Sequence, residues 1–239
     1  MSTNLALAPA IRAIEATKVY GSGAGAVTAL DRVSLAVPDG GLTVVMGSPG
    51  AGKSTLLRCL AGLEHVTSGE VFLGDLGLHA ASEGWLGVVR RDAVGFVFSD
   101  ISLLPGLTVG ENILAPSRQA GVRPDPRWVD AVVATTGLGD RLTDRPADLS
   151  GGEQQRVAVA RALAGRPEVV FADDPTEDLD YRGGEEVLAT LRSAVDDLGQ
   201  TVVLGTGEPR GLGYADHAVF LAGGRVADRI TPGASAPRA

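Results

Sequence analysis

The stretch Gly47-Ser48-Pro49-Gly50-Ala51-Gly52-Lys53-Ser54-Thr55 decides the fold of this chain. It fits the pattern G-x-x-x-x-G-K-[ST], the phosphate-binding P-loop, at every fixed position. The glycines let the backbone wrap tightly, so that successive N–H groups can point at an anion. Lys53 adds a compact positive charge for the outer phosphates, and Ser54 offers a hydroxyl to Mg²⁺. The sequence therefore predicts a nucleoside triphosphate site, against the alternative of a glycine-rich turn that binds nothing.

The residues on either side of the P-loop favour the binding interpretation. Residues 42–46, Leu-Thr-Val-Val-Met, are typical of a buried strand that enters the loop. Leucines at positions 56, 57, 60 and 63 then recur at helical spacing, so a helix follows the loop. A phosphate would therefore lie at the N-terminus of a helix, where the backbone N–H groups and the helix dipole favour negative charge.

An acidic pair supplies the second candidate site. The apolar stretch 169–172 is predicted to be a strand, and it ends in Asp173-Asp174-Pro175. A carboxylate at the carboxyl end of a parallel strand lies where such sheets bind ligands, so Asp173 is a candidate Mg²⁺ ligand together with Ser54.

The order of predicted elements indicates the fold class. Strands alternate with helices along most of the chain, which is typical of an α/β fold, here a P-loop NTPase core with a mostly parallel sheet. The first strands, within residues 11–37, indicate an N-terminal antiparallel β subdomain. Residues 101–149 show helical patterns without a convincing strand, so we expect a helical subdomain at about 99–160.

The whole-chain composition limits the function classes. The 239 residues carry a net charge of −8, with a pI of about 4.9, which argues against a surface built for nucleic acid. Cys59, the single cysteine, cannot form an internal disulfide and is expected to be a buried thiol. No apolar run approaches the length of a membrane span and no signal peptide is recognised, so we expect a cytoplasmic location. One domain is expected over 11–230, with flexible tails at 1–10 and 231–239.

The stretch Leu149-Ser150-Gly151-Gly152-Glu153-Gln154-Gln155-Arg156 allows two interpretations. In the first it is a capping box, in which Ser150 caps a helix and Glu153 reaches back to the cap. In the second, the two glycines leave the N–H groups of that helix terminus accessible to an anion. The physics of the residues does not choose between them.

The P-loop, the stretch at 149–156 and Ala-Asp-Asp-Pro-Thr at 172–176 resemble, in order and spacing, the ATP-binding subunit of ABC transporters. The eight residues from Leu149 are similar to the signature motif of that family, and the resemblance covers about residues 11–230. Three further segments most resemble the macrolide-export and lipoprotein-release branch: Val19-Tyr20-Gly21, Val27-Thr28-Ala29-Leu30 and Leu103-Leu104-Pro105.

The resemblance implies a role for each segment. Tyr20 would stack on the adenine, Gly47–Thr55 would hold the phosphates of ATP, and Ser54 with Asp173 would hold Mg²⁺. Part of the signature would close over ATP bound to the opposite subunit, and this part consists of Ser150, Gly151, Gly152 and Glu153.

The resemblance also implies partners. The family works as a head-to-tail dimer, so a second ATP-binding subunit is expected, in a homodimer or an asymmetric heterodimer, with residues 177–180 at the dimer contact. The stretch from Ser99 to about Leu149 would dock on a membrane-spanning permease. The chain would then lie on the inner face of the cell membrane.

Three positions depart from the family pattern. The family has Gln where this chain has Ser99, a catalytic Glu where it has Asp174, and a γ-phosphate-contacting His where it has Gly207. Asp174 is thus the predicted catalytic residue. Its carboxylate is one methylene closer to the backbone than that of Glu, and a displacement of about 1 Å can lower the rate about a hundredfold. We therefore expect tight ATP-Mg²⁺ binding and weak hydrolysis at the chain's own site, with ordinary turnover through Asp174 as the alternative.

Two functions stay open on the sequence. The first is the energising subunit of an ABC transporter, with ABC-type ATPase activity. The alternative is a nucleotide-gated regulatory or scaffold subunit of a non-transporting transmembrane signalling complex of the cell-division type, for which slow hydrolysis is suited. Whether a substrate moves across the membrane distinguishes the two.

Overall fold

Ten strands and six α-helices make up residues 9–230, the part of the chain that the computed structural model describes. The strands are β1 (Ile11–Tyr20), β2 (Val27–Val37), β3 (Leu42–Met46), β4 (Ser68–Leu73), β5 (Leu76–Gly77), β6 (Val94–Val97), β7 (Val169–Asp173), β8 (Thr201–Thr206), β9 (His217–Ala222) and β10 (Arg225–Ile230). The helices are α1 (Lys53–Leu60), α2 (Glu83–Asp92), α3 (Val109–Gln119), α4 (Pro126–Thr135), α5 (Gly151–Leu163) and α6 (Tyr181–Leu198).

The strands form two sheets. The smaller sheet has the order β2-β1-β4-β5, and its neighbouring strands are antiparallel. The larger sheet has the order β10-β9-β3-β8-β7-β6, in which the strands from β9 to β6 run parallel and β10 pairs antiparallel with β9. This arrangement confirms the α/β fold, the mostly parallel core sheet and the antiparallel N-terminal strands.

Both faces of the central strands β3, β8 and β7 are buried, and this explains the unbroken apolar runs of these strands. Along β7 the side chains alternate between the two faces. Val169 and Phe171 pack in one hydrophobic cluster with α1, whereas Val170 and Ala172 pack in the other with α5 and α6. Two hydrophobic layers therefore fix β7 and the position of Asp173 at its end.

Helix α1 packs within the first cluster, directly below the P-loop. Leu56, Leu57 and Leu60 are fully buried there, together with Cys59, which is 1% exposed. Burial raises the pKa of the Cys59 thiol to about 12. The thiolate is therefore scarce at neutral pH, as expected for a structural cysteine.

The strand order explains why segments far apart in the sequence meet. Strands β3, β8, β7 and β6 are neighbours and run parallel, so the residues that follow them emerge at one edge of the sheet. Across that edge lie, in order, Gly47, Gly207, Asp174 and, two residues beyond β6, Ser99.

The strands predicted over 42–46 and 169–172 correspond to β3 and β7. Residues 27–37 form the single strand β2, and the two-residue β5 has no counterpart among the predictions. Between β6 and β7 the structure contains α3, α4, α5 and short 3-10 turns, in agreement with a helical insert.

The proposed domain limits stay predictions, and the tails, apart from residues 9 and 10, lie outside the described residues. Within residues 9–230 no helix combines the length and the apolar character that crossing a bilayer requires.

Candidate nucleotide-binding site

The P-loop leaves the N-terminus of α1 open. Gly52, the residue before the helix, has a φ of 102°, in the left-handed region, and no side chain of the described residues caps the helix there. A Cβ at Gly52 would lie 2.5 Å from the carbonyl oxygen of Ala29, so glycine is required at this position. The N–H groups of the first turn of α1 are consequently available to an anion.

Lys53 is held at the loop by two oxygen atoms. Its side chain is buried, and Nζ donates a hydrogen bond to the carbonyl oxygen of Gly47 at 3.1 Å. The same nitrogen lies 3.5 Å from Oδ2 of Asp174. The ammonium group of Lys53 therefore lies against the P-loop, whose N–H groups would bind a phosphate.

Ser54 and Asp173 form the candidate metal pair. The Ser54 hydroxyl donates to Oδ1 of Asp173 at 2.9 Å, and Asp173 is buried. The pKa of Asp173 is raised overall, mainly because the carboxyl group is buried. The hydrogen bond from Ser54 lowers this pKa, and the nearby charge of Asp174 raises it further. The donor set fits Mg²⁺, which prefers oxygen ligands and is held by one or two carboxylates together with phosphates and water. No cluster of three or more His, Cys, Asp or Glu side chains suited to a metal occurs within residues 9–230.

Asp174 is fixed in an unusual backbone conformation. Its φ is 42°, in the left-handed region, and its N–H donates to the carbonyl oxygen of Gly205 at 2.8 Å. Oδ1 accepts a hydrogen bond from the N–H of Gly207 at 3.2 Å, while Oδ2 faces Lys53. Both carboxylate oxygens of the predicted catalytic residue therefore contact the protein itself.

The other two departures from the family pattern flank Asp174. Gly207 follows β8, and a Cβ built there would meet the carbonyl oxygen of Gly47 at 3.5 Å, an ordinary van der Waals contact. Ser99 follows Phe98, whose carbonyl oxygen accepts a hydrogen bond from the fully buried amide of Gln155 at 2.9 Å. The loop after β6 is thus held by a side chain of α5.

Tyr20 lies at the end of β1, beside the P-loop. Its hydroxyl donates to Oε2 of Glu64 at 2.5 Å and lies 3.4 Å from Oγ1 of Thr55. Burial and the bond to Glu64 raise the pKa of Tyr20, so the phenol stays neutral. The side chain is nevertheless 38% exposed, and an exposed aromatic ring beside a phosphate cradle suits a flat base.

The signature stretch lines a cleft that contains no P-loop residue. Ser150 caps α5: its hydroxyl accepts from the N–H of Glu153 at 3.3 Å, and Glu153 accepts from the N–H of Ser150 at 2.8 Å. The capping box is therefore confirmed, while anion binding there stays a prediction. An open cleft of about 620 Å³ lies in front of this helix terminus, lined by Ser150–Glu153, residues 178–180 and the start of α6.

The predicted site residues thus form two groups. Tyr20, the P-loop, Asp173 and Asp174 come together around α1, and Ser150–Glu153 lie with residues 178–180 of the predicted dimer-contact stretch. Sequence reasoning assigned no role to Gln155. Its spacing of four and eight residues from the buried Val159 and Leu163 could have indicated that it lies on the apolar face of α5.

Comparison with known proteins agrees with this site. The profile described as ABC transporter matches residues 30–177, more than half of the chain, so the chain belongs to the ABC transporter family. An ABC transporter ATP-binding protein of Mycobacterium tuberculosis is 39% identical over 215 residues, which are 89% of this chain and 65% of that protein. A macrolide export ATP-binding/permease protein of Burkholderia pseudomallei is 37% identical over 231 residues, 95% of this chain and 35% of that protein.

A solved structure gives the same result. A dimeric ATP-binding cassette in a post-hydrolysis state, bound to ADP and Pi, superposes with a TM-score of 0.80 at 31% identity, over 92% of this chain and 98% of that one. The chain is therefore an ATP-binding cassette with the ABC ATPase fold. It spans about two thirds of the mycobacterial relative and about a third of the macrolide exporter.

Proposed function

We propose that this chain is the energising subunit of an ABC transporter, which binds ATP-Mg²⁺ at a dimer interface and drives a membrane-spanning permease. The observation that carries the proposal is the separation of two half-sites on one chain. The capped helix terminus at Ser150 lines a cleft whose lining contains no P-loop residue, and Lys53 lies apart from it against the carbonyl oxygen of Gly47. A second ATP-binding subunit would bring its own signature to this P-loop, and the relative solved with ADP and Pi is a dimer.

The residues of the chain would bind and orient the nucleotide. The open N-terminus of α1 would take the phosphates, and a phosphate oxygen would replace Asp174 as the partner of Lys53. Ser54 and Asp173 would hold Mg²⁺, which supplies charge neutralisation to the phosphates when it is bound. Closure of two subunits over two ATP molecules would be passed to the permease.

The permease and the membrane location belong to the same proposal. The macrolide exporter that this chain resembles carries ATP-binding and permease functions on one protein, which supports a permease partner here. The chain would then be a cytoplasmic subunit, peripheral on the inner face of the membrane. Co-purification of the tagged chain with a membrane-spanning partner tests this part, and recovery of the chain without any such partner would count against it.

Weak hydrolysis at the chain's own site is the second part of the proposal. The Asp174 carboxylate is one methylene shorter than that of Glu, and it contacts Lys53 and the N–H of Gly207. Gly207 offers no side-chain donor to a γ-phosphate, and Ser99 is short for the reach expected of Gln. The chain would bind ATP without turning it over efficiently.

The test compares ATP turnover of the natural chain with that of the Ser99→Gln, Asp174→Glu, Gly207→His variant at equal concentration. We expect the triple variant to be faster by about tenfold or more, since each general acid–base or positioning group contributes at this scale. The matched control adds Lys53→Ala to the triple variant and should abolish the gain, because the hydrolysis arises at this P-loop. Equal rates for the natural chain and the triple variant would show that Asp174 suffices.

A further inference from the structure

A lysine side chain lies against one face of the Tyr20 ring. Nζ of Lys18 lies over the Tyr20 ring, 5.1 Å from its centroid, within the distance at which a cation is attracted to an aromatic face. Lys18 covers one face of the ring and Tyr20 is 38% exposed, so a ligand would stack on the face away from Lys18. Only two lysines occur in the chain, and the other is Lys53 of the P-loop.

Lys18 is itself fixed in place. Nζ donates to the carbonyl oxygen of His65 at 2.7 Å and lies 3.5 Å from Oε2 of Glu64. The same Glu64 oxygen accepts the Tyr20 hydroxyl at 2.5 Å. One carboxylate therefore holds both the cation and the ring, and Tyr20 is oriented before any ligand arrives.

We infer that Lys18 and Glu64 are positioning residues that turn Tyr20 into a one-sided platform for the base of a nucleotide. The inference rests on the proposed function, because it takes the P-loop as the phosphate site. Preorganisation lowers the entropy lost when the base stacks, and the cation behind the ring holds the ring face-on to the base. The charge of Lys18 is directed at the ring, so its contribution depends on the base and not on the phosphates.

The experiment measures binding of two probes by titration calorimetry, with Mg²⁺ and at fixed salt: ATP and inorganic tripolyphosphate, which lacks a base. Lys18→Met keeps an unbranched side chain and removes the charge. It should weaken ATP binding about three- to tenfold and leave tripolyphosphate binding within about twofold. Lys18→Arg, which keeps a cation over the ring, should restore ATP binding to within about twofold of the natural chain.

The matched control is Arg58→Met. Arg58 also contacts Glu64, with 3.7 Å between Nη1 and Oε1, so this variant removes the same charge near the same carboxylate without touching the ring. Arg58→Met should change the affinities for ATP and for tripolyphosphate by the same factor. In a Tyr20→Ala background, Lys18→Met should have no further effect on ATP binding, because the ring through which it acts is gone.

Two outcomes overturn the inference: equal weakening of ATP and tripolyphosphate by Lys18→Met, or an undiminished effect of Lys18→Met in the Tyr20→Ala background. Either would mean that Lys18 acts through general charge or local structure. A natural chain that binds neither probe would instead contradict the proposed function itself. Far-UV circular dichroism of every variant excludes unfolding as the cause of lost binding.

Discussion

Two helices of this chain begin with glycine-rich motifs, and their N-termini differ in one decisive respect. At α1 the residue before the helix is Gly52, and no described side chain caps the first turn. At α5 the corresponding residue is Ser150, which forms a complete capping box with Glu153. The first terminus offers its N–H groups to a ligand, whereas at the second the N–H of Glu153 is already bonded to the hydroxyl of Ser150.

Because of this difference, an anion would have to displace a capping side chain at one glycine-rich motif and not at the other. A phosphate at α1 would meet N–H groups without displacing a side chain. An anion at α5 that used the Ser150 hydroxyl would compete with Glu153, to which this hydroxyl lies at 2.9 Å. The signature would therefore bind ATP more weakly by itself than the P-loop does, which suits a group that closes over a nucleotide already held by another subunit.

The largest expected effect is a loss of ATP affinity when a side chain is added at the N-terminus of α1. Gly52→Ala puts a Cβ 2.5 Å from the Ala29 oxygen, at a φ of 102°. Strain of about 3 kcal/mol would reduce ATP affinity about a hundredfold, which titration calorimetry measures. Gly165→Ala is the control, since a Cβ there meets no atom within 4 Å. Full ATP affinity in Gly52→Ala would mean that the P-loop tolerates a side chain where the structure leaves no room.

An intermediate effect is expected from removing the side-chain cap at the N-terminus of α5. Ser150→Ala removes the cap of α5 and should lower the midpoint of thermal unfolding by a few degrees, since a lost cap costs about 1 kcal/mol. ATP binding to the isolated chain should not change. Dimerisation driven by ATP should weaken about tenfold or more, because a hydrogen bond to a charged phosphate is lost.

The chain contains a matched control for this variant. Thr108 and Glu111 form the same kind of capping box at the start of α3. Thr108→Ala should lower thermal stability to a similar extent and leave ATP-driven dimerisation unchanged, as sedimentation velocity would measure. Equal loss of dimerisation in both variants would mean that the box at α5 acts through stability alone.

The smallest expected effect concerns acid stability. Bonds from the backbone and hydroxyl of Ser150 lower the pKa of Glu153 below its ordinary value. A carboxyl group with a lowered pKa in the folded state stabilises the fold above its unfolded pKa, and this contribution is lost as the pH falls. Glu153→Gln should therefore lose less stability than the natural chain between about pH 5 and about pH 3, as urea unfolding measures. An equally steep loss in both proteins would argue that Glu153 is not linked to folding.

The local elements of this fold could be predicted because their signals are local. The apolar run before Gly47, the leucines after it and the capping residues at 150 and 153 each act within a few residues of sequence. The pairing of Ser54 with Asp173 was also within reach, because a P-loop and an acidic strand end belong to one known site. The structure places their side chains 2.9 Å apart.

Contacts made across the sheet could not be predicted in this way. Asp174 meets Lys53 and Gly207 because β8 lies between β3 and β7, and that order is a property of the assembled sheet. Lys18 lies over the Tyr20 ring because Glu64, more than forty residues away, holds both groups. The sequence indicates neither contact, since each depends on long-range packing.

The sequence by itself predicted a nucleotide site at a helix N-terminus and determined that the chain belongs among α/β proteins, because a glycine-rich loop and alternating apolar runs act through short-range geometry. Tertiary structure alone decided that Asp174 contacts Lys53 and Gly207, that Lys18 lies over the Tyr20 ring, and that the signature lines a cleft of its own. Those arrangements follow from strand order and layer packing, in which groups distant along the chain are brought within hydrogen-bond distance by the burial of apolar surface on both faces of one sheet.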